Sequence, residues 1–439
     1  MKKFLLLPIC CLACASMLWA QDDVDEPVTF KVAGIRYQVN QSPQASVTVV
    51  NVEANAALAI PARVEDEASV AYDVTAIAGE AFYGSKSAEA SIPASVTSIA
   101  DNAFFSCNLS SISVADDNEA YKAVDGVLYD KNMTTLCCFP PSKSADNYQL
   151  PESVSRIGGY AFCGVWLTAF DIPERVTAIG RGAFMGTKIK KMDIPASVTE
   201  IGGAAFQNCQ SLTSITFPEG MTLMPDHILA TSWMLSSVNL PGSLTEIGDY
   251  AFNLTFSYGM VKEITIPDNV TSIGMGAFQG DRGLTSLTLG RKVDTINWYA
   301  FAQCAGLRKL VSLNTEVPEC VSFSDNDDEV LYAFNEVPDD CVLYVPEESV
   351  ELYEAAWGVK FKDIRPLDNG GVGEVVSADD AMNISVSGGV LNVSASESVE
   401  VFNVAGVKVA SASGHTLSIA LPSGLYVVKS GARTAKVTL

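Results

Sequence analysis

Residues 192–209 read MDIPASVTEIGGAAFQNC, and the same spaced pattern returns along most of the 439-residue chain. Its parts are an isoleucine-proline pair, a valine three residues after the proline, an isoleucine-glycine pair, and an alanine-phenylalanine pair with a cysteine three residues further on. A pattern with a fixed period is typical of stacked supersecondary units. The stretch therefore predicts a repeat protein and not a series of compact domains.

The alanine-phenylalanine pair marks the period. Most successive pairs are 22 or 23 residues apart, and one interval of 46 residues is twice 23. An isoleucine stands five residues before each phenylalanine, a valine or leucine stands eight before it, and a proline stands eleven before most of them. We expect these phenylalanines to form a buried structural spine: Phe82, Phe104, Phe162, Phe184, Phe206, Phe252, Phe278 and Phe301.

Within one repeat, the residue order predicts a strand and then a turn around a narrow core. Ile264 and Ile266 alternate with polar residues, as in a strand with one buried face. Pro267 then ends the strand, because proline has no amide hydrogen for a ladder. One repeat cannot bury its own apolar side chains, so the repeats must stack. The predicted fold is mainly β, a solenoid of about 23-residue rungs with a cap at each end.

A glycine follows the repeated isoleucine in five of the eight repeats, and asparagine or alanine follows it in the other three. The glycines are Gly158, Gly180, Gly202, Gly248 and Gly274, and the exceptions are Asn297, Ala78 and Ala100. Glycine and asparagine fit a left-handed backbone bend. The two alanines favour tight packing as the stronger demand at this position.

One repeat between Phe206 and Phe252 departs from the pattern. Leu229 takes the phenylalanine place, 23 residues from each neighbour, and Pro218 takes the proline place. Its unusual residues are Met221 and Met224 in the valine and isoleucine places, together with His227, Trp233 and Met234. Two interpretations are open: a local binding feature, or a decayed repeat in which flexible methionines fill the gap.

A second departure is the 58-residue interval from Phe104 to Phe162. Residues 124–129 (VDGVLY) and 135–139 (TLCCF) predict two strands on either side of a polar turn. Leu150 and Pro151 then restore the phase of the repeat.

The motif in residues 194–209, with its isoleucine-proline, isoleucine-glycine and alanine-phenylalanine pairs, resembles the BspA-like leucine-rich repeats of Bacteroidetes surface proteins. Residues 125–129 (DGVLY) are similar to a segment common in that family. The stretch 343–357, with its Leu-Tyr-Val-Pro run and Trp357, looks like the family's C-terminal cap. The resemblance covers about residues 27–367 and implies a leucine-rich-repeat solenoid. Family members include adhesins for host matrix proteins, so it implies a surface role without naming a ligand.

The first twenty residues predict a secretory signal peptide. Lys2 and Lys3 precede an apolar run that ends near Trp19, and acidic residues follow the predicted cut after Ala20. The alternative is lipoprotein processing at Cys14, although the usual leucine is missing three residues before it. The apolar run is too short to span a membrane, and we expect no membrane span after cleavage.

Eight cysteines lie beyond the predicted signal peptide. An even number in an exported chain is compatible with disulfides. Three of them, Cys107, Cys209 and Cys304, each stand three residues after an alanine-phenylalanine pair, which favours a small buried position with a reduced thiol. No two of these eight cysteines have the CxxC spacing of a redox or zinc site.

The charge and the histidine count exclude several classes of function. A net charge of −23, from 28 basic and 51 acidic residues, argues against nucleic acid and anionic lipid as partners. The only histidines are His227 and His415, which leaves little material for a catalytic triad or a multi-histidine metal site. His227 stands beside Asp226, but adjacent residues seldom face each other, and His415 lies in a polar turn. The carboxylate run 325–329 lacks the glycine and spacing of a calcium loop and predicts a solvated loop.

The last part of the chain has a different pattern. Short alternating strands follow residues 369–371 (NGG), a flexible joint, and predict a small C-terminal β-sandwich. Residues 401–409 (VFNVAGVKV) and 424–429 (GLYVVK), with Lys436, resemble the C-terminal sorting domain of the type IX secretion pathway. No Pro-Asn-Pro motif precedes it, so an accessory structural domain is the alternative.

These observations predict a division into six segments. They are a signal peptide (1–20), an N-terminal β cap with the first rungs (21–73), BspA-like leucine-rich repeats (74–310), a C-terminal cap of the solenoid (311–368), a linker (369–374) and the β-sandwich (375–439).

A row of polar residues is expected to face outward from the strands. We name these residues the polar ladder: Ser113, Asp171, Asp193, Thr216, Asn239, Thr265 and Thr288. The sequence as a whole predicts a non-enzymatic, adhesin-like protein, secreted or on the extracellular face of the outer membrane, whose solenoid binds a protein such as a host matrix or surface protein. A glycan-binding or envelope-structural protein is the alternative. No catalytic residue, metal or cofactor is expected.

Overall fold

The computed structural model describes residues 27–41, 45–53, 58–145, 148–321, 329–367, 382–387, 390–395, 398–403, 407–412, 416–421, 424–430 and 433–438. The fold is mainly β, a solenoid of about 13 turns with a spacing of about 23 residues, followed by C-terminal β-sheets. The predicted fold class is confirmed. The chain divides into two compact units, residues 1–133 with 138–143 and residues 134–137 with 144–439.

The first unit combines antiparallel strands with the first parallel turns. Its strands are β1 Thr29–Val32, β2 Ile35–Val39, β3 Ser46–Val52, β4 Leu58–Ala59, β5 Arg63–Glu65, β6 Ala71–Ile77, β7 Glu89–Ile92, β8 Ser98–Ile99, β9 Ser111–Val114, β10 Tyr121–Val124 and β11 Val127–Asp130. Strands β1, β2 and β3 are antiparallel, and β3 pairs in parallel with β6, which also pairs with β8. Strands β4, β7 and β9 form a parallel sheet, so solenoid stacking begins within this unit.

Residues 124–129 do not form the single strand that we predicted. Strands β10 and β11 are antiparallel, with Val124 opposite Val127. Asp125 and Gly126, at φ 49° and 77°, form the turn between them. Two positive φ values and an Asp-Gly sequence are the requirements of a tight two-residue hairpin turn. The Asp-Gly pair, and not the run of apolar residues around it, determines the local structure here.

The second unit contains most of the solenoid. Its strands are β12 Thr135–Cys138, β13 Arg156–Ile157, β14 Ala178–Ile179, β15 Lys191–Asp193, β16 Glu200–Ile201, β17 Ser214–Thr216, β18 Leu223–Met224, β19 Ser237–Asn239, β20 Glu246–Ile247, β21 Glu263–Thr265, β22 Ser272–Ile273, β23 Ser286–Leu289, β24 Thr295–Ile296, β25 Lys309–Ser312, β26 Glu319–Cys320, β27 Val342–Val345 and β28 Asp363–Pro366. The helices are α1 Glu329–Ala333, a 3-10 turn Glu347–Ser349 and α2 Val350–Trp357.

From β15 onward, most turns of the second unit contribute to two parallel sheets. The longer strands pair in the orders β15-β17-β19 and β21-β23-β25-β27-β28. The shorter strands, all of two residues except β12 with four, pair in the orders β12-β13-β14-β16 and β18-β20-β22-β24-β26. Strand pairing is interrupted in both sets of sheets near the repeat of Leu229. The shorter strands do not pair between Ile201 and Leu223, and the longer strands do not pair between Asn239 and Glu263. The turn between the two strands closes with a bond from the valine N–H to the proline carbonyl, as from Val270 to Pro267 at 3.1 Å.

The third side of each turn carries the phenylalanine column. Its backbone N–H donates to the carbonyl oxygen one residue before the equivalent position of the next turn, as from Phe162 to Ala183 at 2.8 Å. All eight phenylalanines named from the sequence are buried. Ring centroids are 5.3 Å apart from Phe162 to Phe184 and again from Phe184 to Phe206, with nearly parallel planes.

The column contains two residues besides these phenylalanines. Leu229 is fully buried in the column. It keeps the backbone hydrogen bond between turns, because its N–H donates to the carbonyl of Ala251 at 2.9 Å. Phe334 stacks on Phe301 at 5.3 Å, so the column extends beyond the repeats that the sequence pattern identified. Ala333 and Phe334 do form an alanine-phenylalanine pair, but they lie 33 residues after Phe301 and outside the regular period. Trp357 of α2 packs against Phe334 at 5.2 Å at this end of the column.

The glycine that follows the repeated isoleucine is required by close packing. None of these five glycines has a positive φ. A Cβ on Gly180 or Gly202 would lie 2.4 Å from a backbone nitrogen of the preceding turn, that of Gly159 or Arg181. The left-handed residues stand two positions further along, where Tyr160 and Ala204 have φ 55° and 59°. The left-handed interpretation of the glycines was therefore wrong, and the packing interpretation is confirmed.

A column of small polar residues, three positions after the spine, links one turn to the turn before it. Cys209 donates from Sγ to the carbonyl of Phe184 at 3.2 Å, and Cys304 does the same to Phe278 at 3.2 Å. Ser232 donates from Oγ to Phe206 at 2.8 Å. A small polar side chain at this position can therefore hydrogen-bond its own buried donor to the neighbouring turn.

Among the described residues, no disulfide joins the three cysteines assigned to the small buried position, and all three are buried. Burial raises the pKa of Cys209 to about 11 and that of Cys304 well above its ordinary value. Such thiols stay protonated and unreactive.

The C-terminal strands form two sheets. They are β29 Met382–Ser387, β30 Val390–Ala395, β31 Val399–Asn403, β32 Lys408–Ala412, β33 Thr416–Ala420, β34 Leu425–Ser430 and β35 Arg433–Thr438. The sheets have the orders β29-β30-β33 and β32-β31-β34-β35, with antiparallel strand pairs. Leu391 and Val393 of the first sheet share one buried cluster with Val399, Val401 and Val428 of the second, as in a sandwich.

Candidate interaction surface

The polar ladder falls into registered groups on the longer strands. Asp193, Thr216 and Asn239 are direct partners on β15, β17 and β19. Thr265 and Thr288 are partners on β21 and β23. Because neighbouring parallel strands lie about 4.8 Å apart, each group presents one polar side chain per turn. All of these side chains are exposed except Thr288, which is half-buried.

The remaining two members of the ladder do not join these groups. Ser113 lies in the first unit on β9, where its partner is Ser91. Asp171 is exposed but belongs to no strand. The structure therefore divides the seven residues into two groups and two separate positions.

The interruption between Asn239 and Thr265 coincides with extra sequence. Phe252 and Phe278 are 26 residues apart, three more than the usual period. The additional residues fall in the turn 253–262 that follows the spine. This turn and the preceding one, 230–236, contain the most unusual surface of the second unit.

Five apolar side chains on these two turns are exposed or half-exposed, and we name them the aromatic patch: Trp233, Met234, Leu254, Tyr258 and Met260. The exposed fractions are 68% for Tyr258, 55% for Met260, 41% for Met234 and 39% for Leu254. The rings of Trp233 and Tyr258 meet edge to face, with centroids 5.7 Å apart and planes at 77°. Exposed apolar side chains that cluster in this way are typical of interaction sites.

The two turns also contain unfavourable backbone conformations. Two positions after the spine the backbone is left-handed, and glycine occupies that place at Gly164, Gly186 and Gly280. The patch turns have Thr231 at φ 62° and Leu254 at φ 56° instead. Thr231 is the one β-branched residue among the described non-glycine residues with positive φ. Such conformations cost free energy and concentrate at functional sites.

The methionines of the departing repeat have different roles. Met224 is fully buried in the isoleucine place and pairs with Ile247 in the short-strand sheet, so it fills the core. Met234 is 41% exposed and fills no gap. The decayed-repeat interpretation thus explains Met224, and the binding interpretation still applies to Met234 and Trp233.

His227 and Asp226 do not form a dyad. Oδ1 of Asp226 accepts the backbone N–H of Asp249 at 2.9 Å, so this carboxylate links two turns. The imidazole of His227 packs on the ring of Tyr250 at 5.1 Å. Partial burial lowers the pKa of His227, and the nearby carboxylates of Asp226 and Asp249 oppose that shift.

Asp281 is the only acid in the column of small polar residues. It is fully buried, and its Oδ1 accepts the N–H of Phe256 at 2.7 Å, whereas its Oδ2 has no hydrogen-bond partner among the described residues. Desolvation raises the pKa of Asp281 well above its ordinary value, against the lowering effect of the N–H groups of Phe256 and Thr255. When it is protonated, Asp281 carries a hydroxyl hydrogen like the Ser and Thr side chains that occupy this column in other turns.

Other candidate chemistry lies partly outside the described residues. Asp325 to Asp328 and His415 belong to residues that the structure does not describe. Elsewhere in the described chain, no group of three or more His, Cys, Asp or Glu could hold a metal ion. Over the same described ranges, no helix has the length and apolar character needed to cross a membrane.

Sequence reasoning missed Leu254, Tyr258 and Met260. The signal that could have found them is the interval of 26 residues between Phe252 and Phe278, since an insertion in a solenoid falls in a surface turn. It also missed Trp166, 73% exposed, in the turn after Phe162.

Solved structures of bacterial leucine-rich repeat proteins resemble the chain. A leucine-rich repeat protein from Eubacterium ventriosum is 19% identical, with 68% of this chain and 98% of that one covered and a TM-score of 0.40. A leucine rich cell surface protein from Faecalibacterium prausnitzii is 20% identical over 77% and 99% of the chains, with a TM-score of 0.39. A protein from Bacteroides ovatus is 24% identical over 73% and 80%, with a TM-score of 0.36. No curated protein matches the chain.

The sequence profile of the BspA type leucine-rich repeat region matches residues 66–125, 135–258 and 253–324, in six copies. These ranges coincide with the stacked parallel turns and their phenylalanine column. Since the matched ranges cover more than half of the 439 residues, the chain belongs to the BspA type leucine-rich repeat family.

Proposed function

We propose that this protein is a non-enzymatic, adhesin-like interaction protein that binds a protein partner through the exposed surface of its solenoid. The observation that carries the proposal is the registered row of Asp193, Thr216 and Asn239, which presents one exposed side chain on each successive turn. Such a repeating, rigid surface is how solenoid proteins offer an extended binding face. In this proposal the polar ladder is one part of that face.

The proposal places the protein outside the cytoplasm, secreted or on the extracellular face of the outer membrane. It is supported by the signal-peptide pattern of residues 1–20 and by the resemblance of residues 401–436 to a type IX sorting domain. The proposal includes a Bacteroidetes origin, which is supported by the resemblance of residues 194–209 to the BspA-like repeats of Bacteroidetes surface proteins. Protease treatment of intact cells, followed by immunoblotting, is expected to release fragments of the protein. Full protection in intact cells, with cleavage after lysis, would contradict this location.

Binding is tested with the purified protein on immobilised matrix proteins, with saturation measured by biolayer interferometry. We expect saturable binding to at least one component. A triple variant, Asp193→Ala with Thr216→Ala and Asn239→Ala, tests the ladder, and Glu174→Ala, an exposed residue outside the ladder, serves as its control. A panel with no saturable binding to matrix proteins or epithelial cells would remove the support for this function.

Glycan binding is the second candidate, and Trp166 favours it because a ring that is 73% exposed can stack on a sugar. A glycan array distinguishes the two candidates. Specific signals that Trp166→Ala abolishes, without any protein binding, would favour the glycan. An envelope defect on gene deletion, with adhesion unchanged, would instead favour a structural role in the envelope.

A further inference from the structure

One corner of the solenoid has a charge opposite to that of the whole chain. We name it the strip and define it as the turns that follow the spine in successive repeats: residues 163–170, 185–190, 207–213, 230–236, 253–262, 279–285 and 302–308. The chain has 51 acidic and 28 basic residues. The strip has five basic residues, Lys188, Lys190, Lys262, Arg282 and Arg308, and its single acid, Asp281, is buried. No acid is therefore exposed on the strip.

Four of these cations have no ion-pair partner among the described residues: Lys188, Lys190, Lys262 and Arg282. Arg308 lies 3.8 Å from Asp340, at the end of the strip where acids return. On the other sides of the turns, some cations pair with acids, as Arg156 does with Glu200 at 3.1 Å, and others, such as Lys191 and Lys292, have no ion pair among the described residues. The unpaired cations keep their charge available to a partner.

The aromatic patch lies within this basic strip. Lys262 reaches back to Gly259, since a Cβ on that glycine would lie 2.7 Å from the lysine Nζ, and so it borders Tyr258 and Met260. Arg282 is exposed on the next turn. Exposed apolar side chains are thus flanked by positive charge.

We propose that the strip binds an acidic polypeptide segment that carries large apolar side chains, anchored at the aromatic patch. This inference rests on the proposed function and names the surface and the chemistry of its partner. Although the whole chain has a net charge of −23, screening limits its repulsion to short range, so the cations of a strip without exposed acids attract an acidic segment that lies on it and discriminate against a basic one. Trp, Tyr, Met and Arg are enriched in protein interfaces, where a few aromatic anchors supply most of the affinity.

The ring geometry favours a polypeptide over a polysaccharide. The planes of Trp233 and Tyr258 are at 77°, so together they form a notch and not a flat platform. A notch accepts an aliphatic or aromatic side chain, whereas a sugar ring stacks on a flat face. Met234 and Met260 add flexible apolar surface, which adapts to side chains of different shapes.

The test uses a yeast-displayed library of random 15-residue peptides, sorted on the purified full-length protein. We expect the enriched peptides to be acidic and to contain at least one Leu, Phe, Trp or Met. Their binding should weaken about 10-fold or more in Trp233→Ser with Tyr258→Ser, because anchors dominate such interfaces. It should also weaken in Lys262→Glu with Arg282→Glu, and as salt is raised, because exposed charges are screened.

Matched controls separate the strip from general effects. Tyr83→Ser removes an exposed aromatic ring in the first unit, and Lys292→Glu reverses an exposed charge away from the strip. Both controls should bind the selected peptides as the unmodified protein does. Circular dichroism melting of every variant shows that a loss of binding is not a loss of folding.

Several results would overturn the inference. They are an enriched set without excess acid, enriched peptides that bind the strip variants equally well, or heparin binding that needs the patch and exceeds the peptide affinity. Failure of the strip is distinguishable from failure of the proposed function. If a matrix protein binds the strip variants normally but not the ladder variant, the strip assignment is wrong and the proposed function stands.

Discussion

The turn through Phe184 and the turn through Leu229 occupy equivalent places in the same column, but their outer surfaces differ. Both spine residues are buried, and both donate their N–H to the following turn, at 2.8 Å for Phe184 and 2.9 Å for Leu229. Three positions later, Thr187 and Ser232 each donate to a spine carbonyl. The first turn then presents lysines to solvent, and the second presents Trp233 and Met234.

The buried side chains of a turn are constrained by the neighbouring turns, whereas its exposed side chains are not. A leucine can replace a phenylalanine in the column because it fills the space and leaves the backbone hydrogen bonds between turns intact. The large side chains of the second turn point outward, where packing does not require them. A feature that the fold does not need is the feature to test for function.

The largest expected effect is the loss of a spine ring. Phe184→Ala removes stacking on both neighbouring phenylalanines and leaves a cavity, so the free energy of unfolding should fall by about 3–5 kcal/mol. Leu229→Ala removes a smaller side chain and should cost about 2–5 kcal/mol, at the lower part of that range. Urea denaturation followed by circular dichroism measures both. Equal, small losses would show that the column is not the core.

Substitution of a glycine in the close-packed position should cause the next largest loss of stability. Gly202→Ala places a methyl group 2.4 Å from the backbone nitrogen of Arg181, which cannot move away as a side chain would. We expect a loss of about 1–3 kcal/mol in urea denaturation. Gly242→Ala is the control, because its Cβ meets nothing within 4 Å and its φ is not positive. If the two variants were equally stable, close packing would not explain the glycine column.

The contribution of Asp281 to the free energy of unfolding should depend on pH. Its pKa is raised in the folded chain, so the unfolded chain loses this proton first, from about the ordinary value of 3.8 upward. The contribution to stability is complete below that pH and declines as pH rises toward the folded pKa, by about 1.4 kcal/mol per pH unit.

The neutral variant Asp281→Asn keeps an oxygen acceptor for the N–H of Phe256 and removes the titration. Its stability relative to the unmodified protein should therefore increase as pH rises above about 4. Urea midpoints of both proteins, measured from pH 3 to pH 8, check this. A difference that is independent of pH would mean that Asp281 does not titrate between these limits.

The smallest effect is expected outside the turn. Met234→Ser and Tyr258→Ser should change the free energy of unfolding by no more than about 0.5 kcal/mol, because both side chains are exposed. Thermal melting beside Phe184→Ala provides the contrast. A loss comparable to that of the spine variant would mean that the aromatic patch serves folding.

The periodic parts of the structure were predictable from residue spacing. The spine, the proline turns and the buried cysteines repeat at fixed intervals, and each repeat is restrained by an equivalent neighbour. Phe334 escaped detection because it falls outside the period, although it belongs to the same column. The Asp125-Gly126 hairpin was missed because apolar alternation was given more weight than turn chemistry.

The candidate surface was less predictable. The polar ladder was found as residue types at one position, but its division into groups depends on where the sheets are interrupted. The aromatic patch joins Trp233 to Tyr258, which are 25 residues apart in sequence and 5.7 Å apart at their ring centroids. No local pattern predicts that contact.

The fold class, the period and the residues of the spine are readable from residue spacing, because a stacked turn demands the same apolar side chain at the same place each time. The reason for the glycines, the residues with left-handed backbone and the exposed groups that lie together are visible only in the folded chain. These depend on distances between turns, such as the 2.4 Å that a Cβ on Gly202 would leave to Arg181. Spacing along the chain says which residues are equivalent, but only stacking brings their surroundings into contact.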